Sequence, residues 1–371
     1  MERSGSGARA VRIQELDSLR GLLAVGVVLF HLFPQRLFWL WSCVDGFFVL
    51  SGFVITRLII GNPMSFGMVV PFYLRRAFRI WPVYFLTLAV ALGLNALYVM
   101  KNALPFSSIE GVPESLVFFQ FVQFYWLPYA DYFPYDYIRW FGHSWSLAVE
   151  EQFYWLWPIV IAICLKKTRP LVWISLALIV VGCITRATGH LVFLLAARVD
   201  GLALGAMLAI FEANSEINVK RLMEWRPRLA WVSGLVFTAC IGVLTVIYLA
   251  PNYRANKVLS LHYQDSTWLI PLFAIAFASI VGSLWLFRGS DALRCMRVKP
   301  LLWLGGRSYA IYMFHPIVQA LVERVVAHWS WPAIMTAFLT LGLVIWFAHL
   351  SFVYVESRFS RLRDRFPLAA A

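Results

Sequence analysis

About ten stretches of this chain are each long and apolar enough to cross a membrane as a helix, and that pattern constrains everything else. They lie at roughly 18–34, 38–60, 80–100, 144–165, 171–188, 190–211, 229–250, 267–287, 301–325 and 332–356. Crossing the hydrocarbon takes about 20 mainly apolar residues. A helix satisfies its backbone polar groups within its own segment, so it can do so. Composition agrees. Charged residues are 14% of the 371, where soluble domains carry about 25%. A soluble enzyme, a disordered chain and a secreted disulfide scaffold are disfavoured. The expected fold is all-α: a polytopic integral membrane protein of about ten transmembrane helices.

The net charge of +13 reads as topology. Outside the spans and at their edges, Lys and Arg divide twenty-one to seven between alternate connecting segments. The positive-inside rule then places both termini in the cytoplasm, at the cell inner membrane. Residues 1–17 form a cytoplasmic tail, 18–356 a transmembrane domain, and 357–371 a second cytoplasmic tail. Within the domain, 101–143 is an extracytoplasmic loop carrying Glu110, Glu114, Asp131 and Asp136 among many aromatics. It can cap a cavity and stack on sugar rings, or simply anchor at the interface. No basic face is left for nucleic acid. The first apolar stretch is not read as a signal peptide, because no small-residue cleavage site follows it. Cys43, Cys164, Cys183, Cys240 and Cys295 form no C-x-x-C pair and read as packing.

Ionisable residues inside spans are costly, so each marks a site hypothesis. Arg20 and His31 are eleven residues apart and share one helix face, about 16 Å apart along the axis. A snorkelling arginine and a histidine in a helix contact is the plainer alternative. Asp45 sits at a similar depth and can orient the His31 imidazole or support its charge, or can serve another buried donor. Arg75, Arg76 and Arg79 cluster on the cytoplasmic side. Their forks suit phosphate oxygens, although the positive-inside rule alone also accounts for them. His143, Glu150 and Tyr154 share a face of the fourth span, where they are expected to line a cavity or to form a buried structural network, with Glu151 turned about 100° away. Arg198 and Asp200 are two apart and point to different sides, so each is expected to pair with another span. Tyr309, Tyr312 and His315 form a polar line, with His315 a second acid/base candidate or a core histidine. Glu356 reads as structural. No zinc spacing, phosphate loop or nucleophile elbow occurs, so no metal is expected. The same buried charges would also suit a proton- or ion-coupled transporter, but no duplicated halves with broken helices are visible.

Together these residues resemble the acyltransferase-3 family of integral-membrane O-acyltransferases, over nearly the whole chain. Arg20-x10-His31 is similar to the family's Arg/Lys-x10-His signature. FFVLSGF at 47–53 resembles its F-F-x-x-S-G-[FY] motif, Arg76-x-x-Arg79 its R-x-x-R, and Trp145-x4-Glu150 its W-x4-E. SYAIYMFH at 308–315 resembles its late Ser-Tyr…His segment. Ser18 departs from the usual Gly, and Glu356-Ser357-Arg358 lacks the usual proline. The resemblance implies transfer of an acyl group, usually acetyl, from cytoplasmic acyl-CoA to a hydroxyl of an extracytoplasmic glycan or lipid-linked sugar. His31 would act as base or as acyl-accepting nucleophile, with Asp45 and Glu150 in support. Arg20, Arg75, Arg76 and Arg79 would hold acetyl-CoA. His143, Trp145, Tyr154, Arg198, Asp200, Tyr309, Tyr312 and His315 would line the substrate cavity. Some members carry a fused SGNH esterase-like domain. Its absence from this sequence implies that transfer finishes within the membrane domain or on a separate extracytoplasmic partner.

Overall fold

Every regular element among the described residues is helical. The computed structural model describes residues 12–61, 66–101, 140–188, 194–214, 219–249, 266–327, 329 and 331–366. Most of the 101–143 loop, with its four carboxylates, lies outside the described residues, as do the ends of both tails. In chain order the helices are α1 (Gln14–Leu32), α2 (Cys43–Ile60), α3 (Phe66–Lys101), α4 (Trp145–Ile163), α5 (Thr168–Thr188) and α6 (Leu195–Asn214). They continue with α7 (Val219–Leu249), α8 (Ser266–Leu286), α9 (Lys299–Gly305), α10 (Ser308–Val326), α11 (Ala333–Ser351) and α12 (Ser357–Arg363).

Among the described residues, five helical stretches are long and apolar enough to cross a membrane: Phe38–Ile60, Val69–Leu94, Thr168–Thr188, Leu269–Leu286 and Ala333–Arg363. Other expected spans coincide with α1, α4, α6 and α10. These four carry Arg20, Glu150, Arg198 and Glu323 among their charges, which lower their hydropathy. Two boundaries differ from the sequence reading. The expected span at 301–325 is broken between α9 and α10, where Arg307 leaves the helical region at φ −114° and ψ 1°. Its guanidinium stacks on Trp303 at 3.9 Å, one turn back, and on Phe352 at 4.3 Å, from just past the end of α11. The arginine cluster at 75–79 lies inside α3 rather than in a connecting segment.

Close helix approach organises the interior. Lipid is as apolar as leucine, so helices associate through packing rather than water release. α2 is the centre: Phe48, Val49, Leu50, Phe53 and Ile55 are fully buried. It meets α6 through small residues. A Cβ on Gly52 would collide with the Leu202 carbonyl, and one on Gly205 with the Val49 carbonyl. Gly305 lies equally tight on the Asp17 carbonyl, joining α9 to α1. The periphery is apolar and open: Trp173, Ile184, Phe338 and Trp346 are all exposed, as a lipid-facing surface requires.

Ion pairs gather the helix ends on one basic face. Arg57 at the end of α2 donates to Glu212 of α6 at 2.7 Å, and Trp285 of α8 donates to the same carboxylate at 2.8 Å. Glu15 of α1 accepts from the Gly289 amide at 2.9 Å and Arg297 at 3.0 Å. Ser18 donates to the Met296 carbonyl at 2.5 Å. The start of α1 and the ends of α2, α6 and α8 therefore share a side, as alternate crossings demand.

Candidate active site

A cavity is framed by α1, α2, α3, α4 and α10. Arg20 of α1 and Arg76 and Arg79 of α3 line it together with Glu150 and Tyr154 of α4. Arg76 and Arg79 are one helical turn apart, so both side chains reach the same space. The Arg76 guanidinium lies 4.7 Å over the Tyr154 ring. The Tyr154 hydroxyl donates to Glu150 Oε2 at 2.8 Å and lies 3.0 Å from Ser51 Oγ. Arg20 holds only a loose contact with Asp17 at 3.7 Å. Neither Arg76 nor Arg79 has an ion pair among the described residues. Three cations and one carboxylate line the cavity, while Asp17, Glu151 and Glu356 act on the same guanidiniums from beyond the lining; the guanidinium forks suit anionic oxygens.

Tyr309 and Tyr312 of α10 line the same cavity. Tyr309 donates to the Ile80 carbonyl at 2.9 Å, fastening α10 to the arginine-bearing helix. Tyr312 donates to the His143 carbonyl at 2.8 Å and shares a 2.6 Å hydrogen bond with Ser146.

Beyond Tyr312 sit three histidines from three elements. The His315 ring lies 4.7 Å from His31, 5.1 Å from His143 and 5.6 Å from Tyr312, centre to centre. His31 Nδ1 is 2.9 Å from the Val27 carbonyl and His315 Nδ1 is 2.5 Å from the Tyr312 carbonyl. A carbonyl only accepts, so each Nδ1 carries the proton and each Nε2 holds a lone pair. Among the described residues, His315 Nε2 has no hydrogen-bond partner, and the His143 ring faces the Met313 backbone. No group of metal-ligating residues suited to an ion occurs among the described residues.

Several expected site residues lie elsewhere. Asp45 does not orient His31. Its Oδ1 accepts from Arg198 at 2.8 Å, and both side chains are buried. The Arg198 guanidinium is packed between Trp41 at 4.6 Å and Trp145 at 5.3 Å. Asp200 accepts from Arg186 of α5 at 2.7 Å. Arg198 and Asp200 thus pair with other helices as expected, but with Trp145 they form a buried network rather than cavity wall. Two cations and two carboxylates cancel there, as burial requires. Arg75 is also outside the cavity lining. It donates to the Arg363 and Phe366 carbonyls at 3.2 and 3.0 Å, pinning the C-terminal segment to α3.

Sequence reasoning missed Arg186, Ser51, Ser146 and Glu151 as partners. A cation near the end of an apolar span was the available signal for Arg186. Ser51 and Ser146 carry no charge, so an apolar span gave no reason to single them out. Glu151 is buried with Oε1 unpartnered, although its angle from Glu150 suggested a bystander.

The fold and site define a helical membrane protein with a cation-lined cavity beside a buried histidine cluster. The chain belongs to the acyltransferase-3 family, matching its acyltransferase domain over residues 13–352. O-acetyltransferase OatA of Staphylococcus aureus (strain NCTC 8325 / PS 47) is 29% identical over 325 residues, covering 82% of this chain and 50% of that protein. A second protein of strain COL, named as a candidate O-acetyltransferase, is 26% identical over 365 residues, covering 94% and 57%. The chain therefore spans about half the length of the curated relatives it matches. No solved structure matches.

Proposed function

We propose that this chain is a membrane O-acyltransferase that moves an acyl group, acetyl first among them, from acyl-CoA to a hydroxyl of an extracytoplasmic glycan or lipid-linked sugar. The meeting of Arg20, Arg76 and Arg79 in one cavity carries the reading. These residues come from two helices distant in sequence, and no ion pair holds the latter two. The nucleotide end of acyl-CoA is a polyanion, and guanidinium forks match its phosphates. The thin thioester arm then runs toward Tyr312 and the histidines. His31 stands on the same helix as Arg20, about 16 Å further along, with its Nε2 lone pair set to serve as base or nucleophile.

The wider topology belongs to the same proposal: about ten spans, both termini cytoplasmic, in the inner membrane, with the 101–143 loop outside. The basic face, where Glu15, Arg57, Arg75 and Arg297 are held, would face the cytoplasm. Acyl-CoA would reach the arginine cavity from that side, and the acceptor would reach His31 from the other.

The test uses purified protein in detergent with labelled acetyl-CoA and hydroxyl acceptors of the glycan class. The expected result is consumption of acetyl-CoA and label in an alkali-labile ester on the acceptor. Protein that binds acetyl-CoA with no measurable affinity, and releases no CoA thiol, would overturn the proposal.

A further inference from the structure

Acyl-CoA carries its negative charge in two places. A diphosphate links the pantetheine arm to the 5′ carbon of the ribose, and a separate phosphate sits on the 3′ carbon of the same ring. A site for the whole donor needs cations for both groups, about one sugar ring apart. Arg20, Arg76 and Arg79 in the cavity can serve one of them.

A further cation stands beside Arg79, supplied by the C-terminal segment. Phe359 and Arg363 are one turn apart on α12, and Phe366 follows just beyond its end. Both phenylalanines pack on Phe78 of α3, at 6.3 and 5.8 Å between ring centres. The Arg75 guanidinium donates to the Arg363 and Phe366 carbonyls. Arg75, Phe78 and Arg79 share one face of α3, so this packing sets Arg363 next to the arginine cavity. Its charge acts on both Arg75 and Arg79. Like charges repel, so guanidiniums gathered in this way call for anions. Asp17 and Glu356 act on Arg79, and Asp364 on Arg363. Asp364 takes up only part of the Arg363 fork: its Oδ1 lies 3.1 Å from both Nε and Nη2. Nη1 has no partner among the described residues.

We propose, on the reading of acyl-CoA as donor, that Arg363 binds the ribose 3′-phosphate, just outside the cavity that takes the diphosphate. Arg75 and Phe78 hold the C-terminal segment in place for that contact. A guanidinium edge left open suits the oxygens of a phosphomonoester. Lipid headgroups offer phosphates of similar chemistry. Arg358, Arg361 and Arg365 are exposed and suit those, whereas Arg363 is half-buried against α3.

The experiment measures binding, so it needs no acceptor. Acetyl-CoA and acetyl-3′-dephospho-CoA are titrated into wild type, Arg363→Gln and Arg361→Gln, each purified in detergent. Wild type should bind acetyl-CoA about tenfold more tightly than the dephospho donor, the worth of one charge-assisted contact. Arg363→Gln should bring the two affinities together by weakening acetyl-CoA alone, and its retained binding of the dephospho donor shows that it is folded. Arg361→Gln should keep the wild-type difference. Equal affinities in wild type, a result that needs no variant, overturn the proposal and are what Arg363 serving lipid headgroups would give. A difference that survives in Arg363→Gln overturns it as well. Its loss in Arg361→Gln would show a diffuse basic surface in place of a site. Wild type that binds neither donor would sink the acyl-CoA reading instead.

Discussion

Asp45 and Arg76 show at single residues how burial and pairing separate structure from chemistry. Asp45 is locked to Arg198 at 2.8 Å between two buried side chains. Removing one partner of a buried pair strands a charge and costs about 3–5 kcal/mol. Asp45→Asn should therefore reduce the yield and melting temperature of the detergent-solubilised protein. His31→Ala should leave both intact while abolishing transfer. A stable Asp45→Asn with no turnover would restore Asp45 to the chemistry. Arg76 and Arg79 have no such partner, so their exchange should spare stability. Arg79→Lys should weaken acetyl-CoA binding, read as a rise in Kd, because the two-pronged fork is lost. Glu15 supplies a pH-dependent term on the basic face. Burial pushes its carboxyl up, but the Gly289 amide and Arg297 outweigh that and hold it below the ordinary carboxylate range. A depressed folded-state value stabilises above the unfolded value of about 4.3 and is lost as pH falls through the folded one. Wild type should melt above Glu15→Gln at pH 7, and the gap should close in acid below about pH 4.3.

Among the helices, the α2–α6 contact has the least slack. A side chain at Gly52 meets the Leu202 carbonyl, which belongs to a rigid backbone and cannot rotate away. Overpacking of this kind typically costs about 1–3 kcal/mol. Gly52→Val should therefore lower the melting temperature and the yield of folded protein more than Gly93→Val, whose added Cβ meets nothing within 4 Å. Similar losses for the two would show that helix propensity, not contact, governs. Helix existence was legible from apolar runs because the bilayer leaves few alternatives. The break at Arg307 was not, because an apolar run does not show one residue leaving helical angles, nor its stacking on Phe352, forty-five residues away. The arginines at 75–79 were placed one element too early for a related reason. Charge marks the edge of a span in sequence, yet a helix can continue through that edge and bring charge into a cavity.

Across the whole molecule, sidedness is the decisive test. In sealed, oriented vesicles, acetyl-CoA should support transfer only from the side carrying Arg57 and Arg75, with product on the other side. Product on the donor side would break the proposed arrangement. The site was about half legible before the fold was known. Arg20, Arg76, Arg79, Glu150, Tyr154, Tyr309 and Tyr312 share one cavity because helical spacing puts neighbours on one face. Asp45, Trp145, Arg198 and Asp200 went elsewhere because spacing shows which way a side chain points on its own helix, not which helix it meets. Arg186 had to be in view before Asp200 could be understood. The placement of Tyr312 between cavity and histidines has one more consequence. A passage open from face to face would short-circuit the ion gradient that a cell spends much of its metabolism maintaining. The Tyr312 hydroxyl, fastened to the His143 carbonyl and to Ser146, stands between the arginine chamber and the histidines. The proposed transfer would have to pass an acyl group by that tyrosine without opening such a passage.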